Sequence, residues 1–316
     1  MQIAFVFPGQ GSQAVGMMGG FAAHPVVRET FAEASDALGE DLWSLVENGP
    51  QQALALTTNT QPVMLAAGVA TWRAWRAAGG PLPVVLAGHS LGEYTALVAA
   101  GALAFRDAVP LVRFRAQAMQ DAVPAGEGAM AAIMGADDGA VVSACAEAGQ
   151  GQCVEAVNFN APGQLVIAGH REAVERAIGL AKQKGAKRGV LLPVSAPFHS
   201  TLLRPAALKL AQRLAQIEIR TPAIPVIHNV DVAVYKDHDA IRDALSRQAA
   251  SPVHWTATIR AMAARGVTHV VECGPGKVLA GLTKRIVDGL PAYALTDGDA
   301  LAAAMAELGT AQGRAP

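Results

Sequence analysis

Short apolar runs alternate along the chain with longer stretches in which apolar residues recur at helical spacing. Residues 3–7, 83–87 and 268–271 read as buried strands, bounded by turn residues and too short for helices. Residues 21–38 and 61–77 carry the helical period, and Trp72 and Trp75 lie on the second of these as core side chains. Strands that are apolar throughout suit a parallel sheet covered by helices on both faces, so the pattern predicts an α/β fold.

Between Pro124 and Pro197 the rhythm changes. Residues 129–134 read as a strand, 138–148 as a helix, 153–159 and 165–168 as strands, 171–184 as a helix and 188–194 as a strand. This βαββαβ order is the ferredoxin-like unit. Pro124, Gly126 and Gly128 before it, and Ser195 and Pro197 after it, are turn residues that mark an insertion. The expected organisation is a large α/β catalytic subdomain, residues 1–125 and 196–316, interrupted by a ferredoxin-like small subdomain, residues 126–195. A cleft between the two should hold the site. There is no internal repeat, low-complexity tract or heptad run.

Composition narrows the function classes. With 52% hydrophobic residues among 316, the chain can bury a large core and is not a disordered one. Lys and Arg total 25 against 26 acidic residues, a net charge of -1, so no global field draws the chain to nucleic acid or an anionic membrane. The opening MQIAFVFPGQG lacks the basic lead and long apolar stretch of an export signal, and no run suggests a membrane span. Cys145, Cys153 and Cys273 form no CxxC pair and sit in apolar segments. They are expected to be reduced, buried thiols of a cytoplasmic protein and not metal ligands.

The strongest chemical signal is GHSLG at residues 88–92, a GxSxG between an apolar strand and a helical run from Glu93 to Ala100. GxSxG alone occurs by chance in a glycine-rich chain, but strand, motif and helix in that order define a nucleophile elbow. It exposes the Ser90 hydroxyl at a helix N-terminus, where free amides favour developing negative charge. The Leu91 amide, next after the nucleophile, is the expected oxyanion donor.

A serine needs a base, and eight histidines are available. His89 points away from its neighbour on an elbow and should support the turn. His24, His170 and His238 fall in polar helix starts or loops; His228, His254 and His269 fall in or beside apolar segments, as core histidines do. His199 follows Ser195-Ala196-Pro197-Phe198 at the predicted subdomain junction, where catalytic side chains converge. Asp107, Asp121, Asp137 and Asp138 all fall at predicted helix ends and read as caps or solvated groups, so no triad aspartate is evident.

Six blocks in order carry a resemblance across nearly the whole chain. FPGQGSQ (7–13), GHSLGE (88–93), RAQAMQ (115–120), NFNAPGQLVIAG (158–169), PFHS (197–200) and ECGPGKVLAGL (272–282) resemble malonyl-CoA:acyl carrier protein transacylases. The resemblance implies an α/β-hydrolase-like large subdomain with a parallel sheet and a ferredoxin-like small one. It implies Ser90 as nucleophile and His199 as base, then acid, with the backbone carbonyl of Gln248 orienting His199. It implies an oxyanion hole from the backbone NH groups of Gln10 and Leu91. By spacing alone Arg113 and Arg115 are equivalent; the resemblance assigns Arg115 to the malonyl carboxylate, through the paired hydrogen bonds only a guanidinium offers. Phe198 before the histidine is a specificity position, and Gln61 and Asn160 are implied pocket residues. GPGK at 274–277 lacks the remaining glycine and the hydroxyl residue of a phosphate loop, so it reads as a turn.

The implied reaction is ping-pong malonyl transfer from a coenzyme A thioester to the thiol of acyl carrier protein, serving fatty acid synthesis, with no metal and no cofactor. The expected partners are these two thiols, with no nucleic acid, no membrane and a monomeric chain. Lys182, Lys184, Lys187 and Arg188 offer basic groups to an acidic carrier or form a solvated helix end. The alternatives are a standalone acyltransferase of polyketide synthesis, a serine thioesterase, or a docking protein without turnover. A thioesterase places acid then histidine near its C-terminus, which this order does not follow.

Overall fold

The computed structural model describes residues 1–309. The last residues of the predicted large subdomain, 310–316, lie outside the described residues. Strands β1 (Ile3–Phe7), β2 (Val85–Gly88), β7 (Val226–Ile227), β8 (His269–Cys273) and β9 (Ala292–Leu295) form one sheet in the order β7-β2-β1-β8-β9. Every pairing in it is parallel. Strand β1 is buried at all of its positions because both faces are covered. Phe5 and Phe7 enter one apolar cluster and Ala4 and Val6 enter the other, as the two-residue period of a strand requires. Phe5 packs edge-on against Trp72 and Trp75 at 5.4 and 5.2 Å between ring centroids, the core role expected of both tryptophans.

A separate sheet holds β3 (Gly128–Met134), β4 (Val154–Ala161), β5 (Gln164–His170) and β6 (Arg188–Leu191) in the order β4-β5-β3-β6. All of its pairings are antiparallel. Helices Asp138–Gly149 and Arg171–Gln183 cover it through Val141, Ala144, Val174 and Ala177. Order, pairing and the two crossing helices make the ferredoxin-like arrangement.

Several predicted elements end elsewhere than their apolar pattern suggested, two of them for a clear reason. The first long helix starts at Pro25, not at residue 21, after a short 3-10 turn at Gly19–Phe21. Proline at the first helical position needs no amide partner and sets the backbone angle there, so the helix begins with it. Strand β6 stops at Leu191, not at 194; Leu192 makes one further bond to Met130, and Leu192 and Val194 instead line a cavity. Cys145 and Cys273 are buried, but Cys153 is only half-buried, beside Thr201 at the mouth of β4. No helix among the described residues is long and apolar enough to cross a membrane.

The small sheet is bonded at its edge to a loop outside the parallel sheet. The edge strand β4 pairs with the segment around Val253: the Phe159 amide donates to the Val253 carbonyl at 3.0 Å and the Val253 amide to the Val157 carbonyl at 2.8 Å. Thr256 adds a hydroxyl bond to the Phe159 carbonyl.

Candidate active site

The bend after β2 is built by two glycines. A Cβ on Gly88 would stand 1.8 Å from the Gly92 carbonyl carbon, and one on Gly92 would stand 2.0 Å from the Phe7 carbonyl oxygen. Only glycine lets strand, bend and helix Gly92–Ala99 pack this closely. Ser90 sits at the apex with φ 52°, a left-handed conformation that costs a non-glycine residue energy and recurs at functional sites. His199 is also left-handed, with φ 67°, in the turn that leads from β6 back to the parallel sheet.

These two strained residues touch. Ser90 Oγ lies 2.8 Å from His199 Nε2, and His199 Nδ1 lies 2.8 Å from the Gln248 carbonyl oxygen. A carbonyl can only accept, so Nδ1 carries the hydrogen and a neutral ring presents its Nε2 lone pair to the serine hydroxyl. His199 is 4% exposed. Burial, reinforced by the nearby Arg115 charge and opposed by the Gln248 bond, pulls its pKa down to about 3. The imidazole is therefore neutral at physiological pH and able to accept a proton.

Arg115 is 1% exposed at mid-length of the helix Phe105–Gln120. Its Nη1 donates to Gln61 Oε1 at 2.9 Å; its Nη2 donates to Gln248 Oε1 at 2.8 Å and to Ser90 Oγ at 3.1 Å. The ring of Tyr94 lies beneath the guanidinium at 5.3 Å. No carboxylate pairs with Arg115 among the described residues, and its Nε has no partner. Arg113, two residues earlier on the same helix, is already paired. It grips Glu40 through both terminal nitrogens at 2.7 and 2.6 Å.

Gln10, Gln61, Ser90, Leu91, Arg115, Phe198 and His199 border one cavity of about 130 Å³. The backbone amides of Gln10 and Leu91 have no acceptor within the chain among the described residues. Asn160 lies apart from these: its Oδ1 is 2.8 Å from His89 Nε2, and it lines an adjoining cavity that shares Gln10, His89, Asn158 and Leu192 with the first. Sequence reasoning passed over two side chains around the bend, Glu93 and Asn229, while His228, read as a core histidine, is fully buried against Glu93. Asn229 Oδ1 accepts from the Ser90 amide at 2.8 Å. The available signal was Glu93 inside GHSLGE, a charge placed at the start of an apolar helix.

A parallel sheet that delivers an elbow serine to a neutral imidazole is the equipment of an enzyme that carries acyl groups on serine. A model of the acyl transferase domain matches residues 4–297, and the chain belongs to that family. It is 58% identical over 305 residues to the malonyl CoA-acyl carrier protein transacylase of Escherichia coli K12, covering 96% of this chain and 99% of that one. The acyl-carrier-protein S-malonyltransferase of Burkholderia pseudomallei 1710b superposes with a TM-score of 0.96 at 61% identity, covering 97% and 100% of the two chains. A malonyl-transacylase solved in complex with its type II PKS acyl-carrier protein matches with a TM-score of 0.96 at 52% identity, again over 97% and 100%.

Proposed function

We propose that this enzyme moves a malonyl group from malonyl-CoA to the phosphopantetheine thiol of acyl carrier protein, through a malonyl ester on Ser90, in support of fatty acid synthesis. One observation carries the reading: a buried guanidinium with no carboxylate of its own faces the cavity 3.1 Å from the serine hydroxyl. A buried charge left unpaired is costly, so such a site favours an acyl group that brings the missing carboxylate. The cavity of about 130 Å³ is near the size that holds benzene, about 150 Å³ in an engineered case. It suits a three-carbon diacid and not a long acyl chain.

In the first half-reaction Ser90 Oγ attacks the thioester carbonyl while His199 Nε2 takes its proton, with the Gln248 carbonyl holding the ring. The tetrahedral oxygen is met by the amides of Gln10 and Leu91. The C–S bond then breaks and His199 returns the proton to the departing thiol. In the second half the carrier thiol gives its proton to His199, attacks the ester carbonyl, and releases Ser90 with that proton. Gln61 holds Arg115 in place at 2.9 Å, and Phe198 closes the cavity wall. Asn160 sets His89 behind the bend and faces the adjoining cavity, which offers the phosphopantetheine arm a way in. The chemistry runs on protein groups alone, without metal or cofactor. The same reading assigns residues 1–125 and 196–316 to the catalytic subdomain and 126–195 to the small one; the separate sheets support that division.

A second reading, supply of a polyketide carrier, is favoured by the likeness to the transacylase solved with a type II PKS carrier. The two differ only in the acceptor and are separated by offering both carriers. The shared chemistry is tested by intact mass after incubation with malonyl-, methylmalonyl- and acetyl-CoA. The expected result is a malonyl adduct that Ser90→Ala abolishes. Arg115→Ala should slow malonyl loading by about 100-fold or more, the cost of leaving the acyl carboxylate unpaired in a buried site, while acetyl loading is spared. Unchanged malonyl loading in Arg115→Ala would refute the carboxylate-binding role.

A further inference from the structure

Among the described residues no carboxylate touches His199, yet one lies a single side chain away. Glu93, in the first turn of the helix Gly92–Ala99, has no exposed surface. Its Oε2 accepts from Gln248 Nε2 at 2.8 Å and from the Asn229 amide at 3.0 Å, and its Oε1 lies 2.7 Å from His228 Nδ1. Three segments distant in sequence converge on this carboxylate: the elbow, the turn at 228–232 and the end of the helix His238–Gln248.

Each segment also holds part of the reacting pair. The Gln248 carbonyl accepts from His199, while its Nε2 donates to the Ser90 carbonyl at 3.0 Å and its Oε1 accepts from Arg115. Asn229 Oδ1 accepts from the Ser90 amide, and its Nδ2 donates to the Gly88 carbonyl at 2.7 Å. Asn229 therefore clips both ends of the bend in which Ser90 is held at φ 52°. Its own backbone amide is fixed by Glu93. A buried carboxylate is stable only when its oxygens are met by donors, and here every contact is to nitrogen. The Gln248 side chain bonds the Glu93 carboxylate at one end and the Arg115 guanidinium at the other, linking the two without a direct ion pair.

We propose that Glu93 is a positioning residue for acyl transfer, acting through Gln248 on His199 and through Asn229 on the Ser90 bend. It takes the place of a triad acid at one remove: the histidine's partner is a backbone carbonyl, and the carboxylate fixes the residue that supplies it. This rests on the reading that Ser90 and His199 are the reacting pair. Reacting groups displaced by about 1 Å lose about 100-fold in rate, and second-layer partners of a site contribute 10- to 100-fold.

The test uses a small alkyl fluorophosphonate, which phosphonylates Ser90 with loss of fluoride as His199 takes the hydroxyl proton. This reads the pair without any malonyl group. In Glu93→Gln and Gln248→Met the maximal rate of labelling should fall at least about tenfold, with half-saturation changed less than about threefold and the thermal midpoint within a few degrees. Because the two share one link, the double variant should lose clearly less than the product of the two single losses. A smaller loss in either folded variant, or losses that multiply in the double variant, would overturn the proposal. Should Glu93→Gln fail to fold, Gln248→Met alone decides, since it keeps the backbone carbonyl that orients His199 and removes the side chain's bonds to Glu93, Ser90 and Arg115. Normal labelling of the parent without a malonyl adduct would defeat the substrate reading and leave this one standing.

Discussion

At the scale of single residues the chemistry follows from what is charged and what is not. His199 is buried with a guanidinium nearby, and both effects disfavour its protonated form. The unfolded ring, at its ordinary value of 6.5, takes up a proton that the folded ring refuses down to about 3. Acid therefore penalises the folded state progressively between those values, and the base stays competent across the same window. The rate constant for Ser90 acylation at low malonyl-CoA, which reports the free enzyme, should change by less than about twofold between pH 7 and pH 5. A stopped-flow profile with its acid midpoint near 6.5 would contradict this account of the site. Ser90 and His199 could be singled out in the sequence because each stands in a block with its own local logic, whereas Arg115 was singled out only by the resemblance. The preference for Arg115 over Arg113 was not legible from spacing: both lie on one helix, and only the fold shows that Glu40 satisfies one while the cavity faces the other. Asn229 was illegible for a similar reason, since its partner Ser90 lies more than a hundred residues away.

Among the elements, the strand–bend–helix unit carries the site because its glycines leave no room for a side chain. Gly92→Ala would drive a methyl group against the Phe7 carbonyl of β1, which cannot yield without breaking its bond from the His89 amide just after β2. The expected cost is about 1–3 kcal/mol or more, measured by denaturant unfolding, with acylation lost well before the fold. A variant as stable and as fast as the parent would show that the tight bend is dispensable. Strands β1, β3 and β5 could be read from apolar runs because they lie inside sheets. Strand β6 could not be bounded, because residues beyond Leu191 keep the apolar character of a strand while serving as the wall of a cavity. Apolar pattern records burial and does not distinguish burial against a neighbouring strand from burial around a substrate.

On the scale of the whole molecule, the proposed reacting pair, Ser90 and His199, is assembled from segments of both sheets. Ser90 comes from the parallel sheet, His199 from the chain returning out of the small sheet, and Gln248 from the helix just before the β4 seam at Val253. That seam ties the cavity wall formed by Asn158 to the segment that orients the histidine. In the proposed reaction this cavity would admit a slender thiol-bearing arm and hold an acyl ester away from bulk water, as transfer requires and hydrolysis does not. The βαββαβ order was legible from the sequence; the seam was not, because a single bridge between a strand edge and a loop leaves no periodic signature. The central claim is that the malonyl ester is kept for a thiol. Malonyl-Ser90 enzyme, freed of coenzyme A and mixed with phosphopantetheinylated acyl carrier protein, should discharge within a single rapid phase that yields malonyl carrier. Without carrier it should persist at least about 100-fold longer. Discharge to free malonate at the same rate with and without carrier would mark a hydrolase and contradict the account.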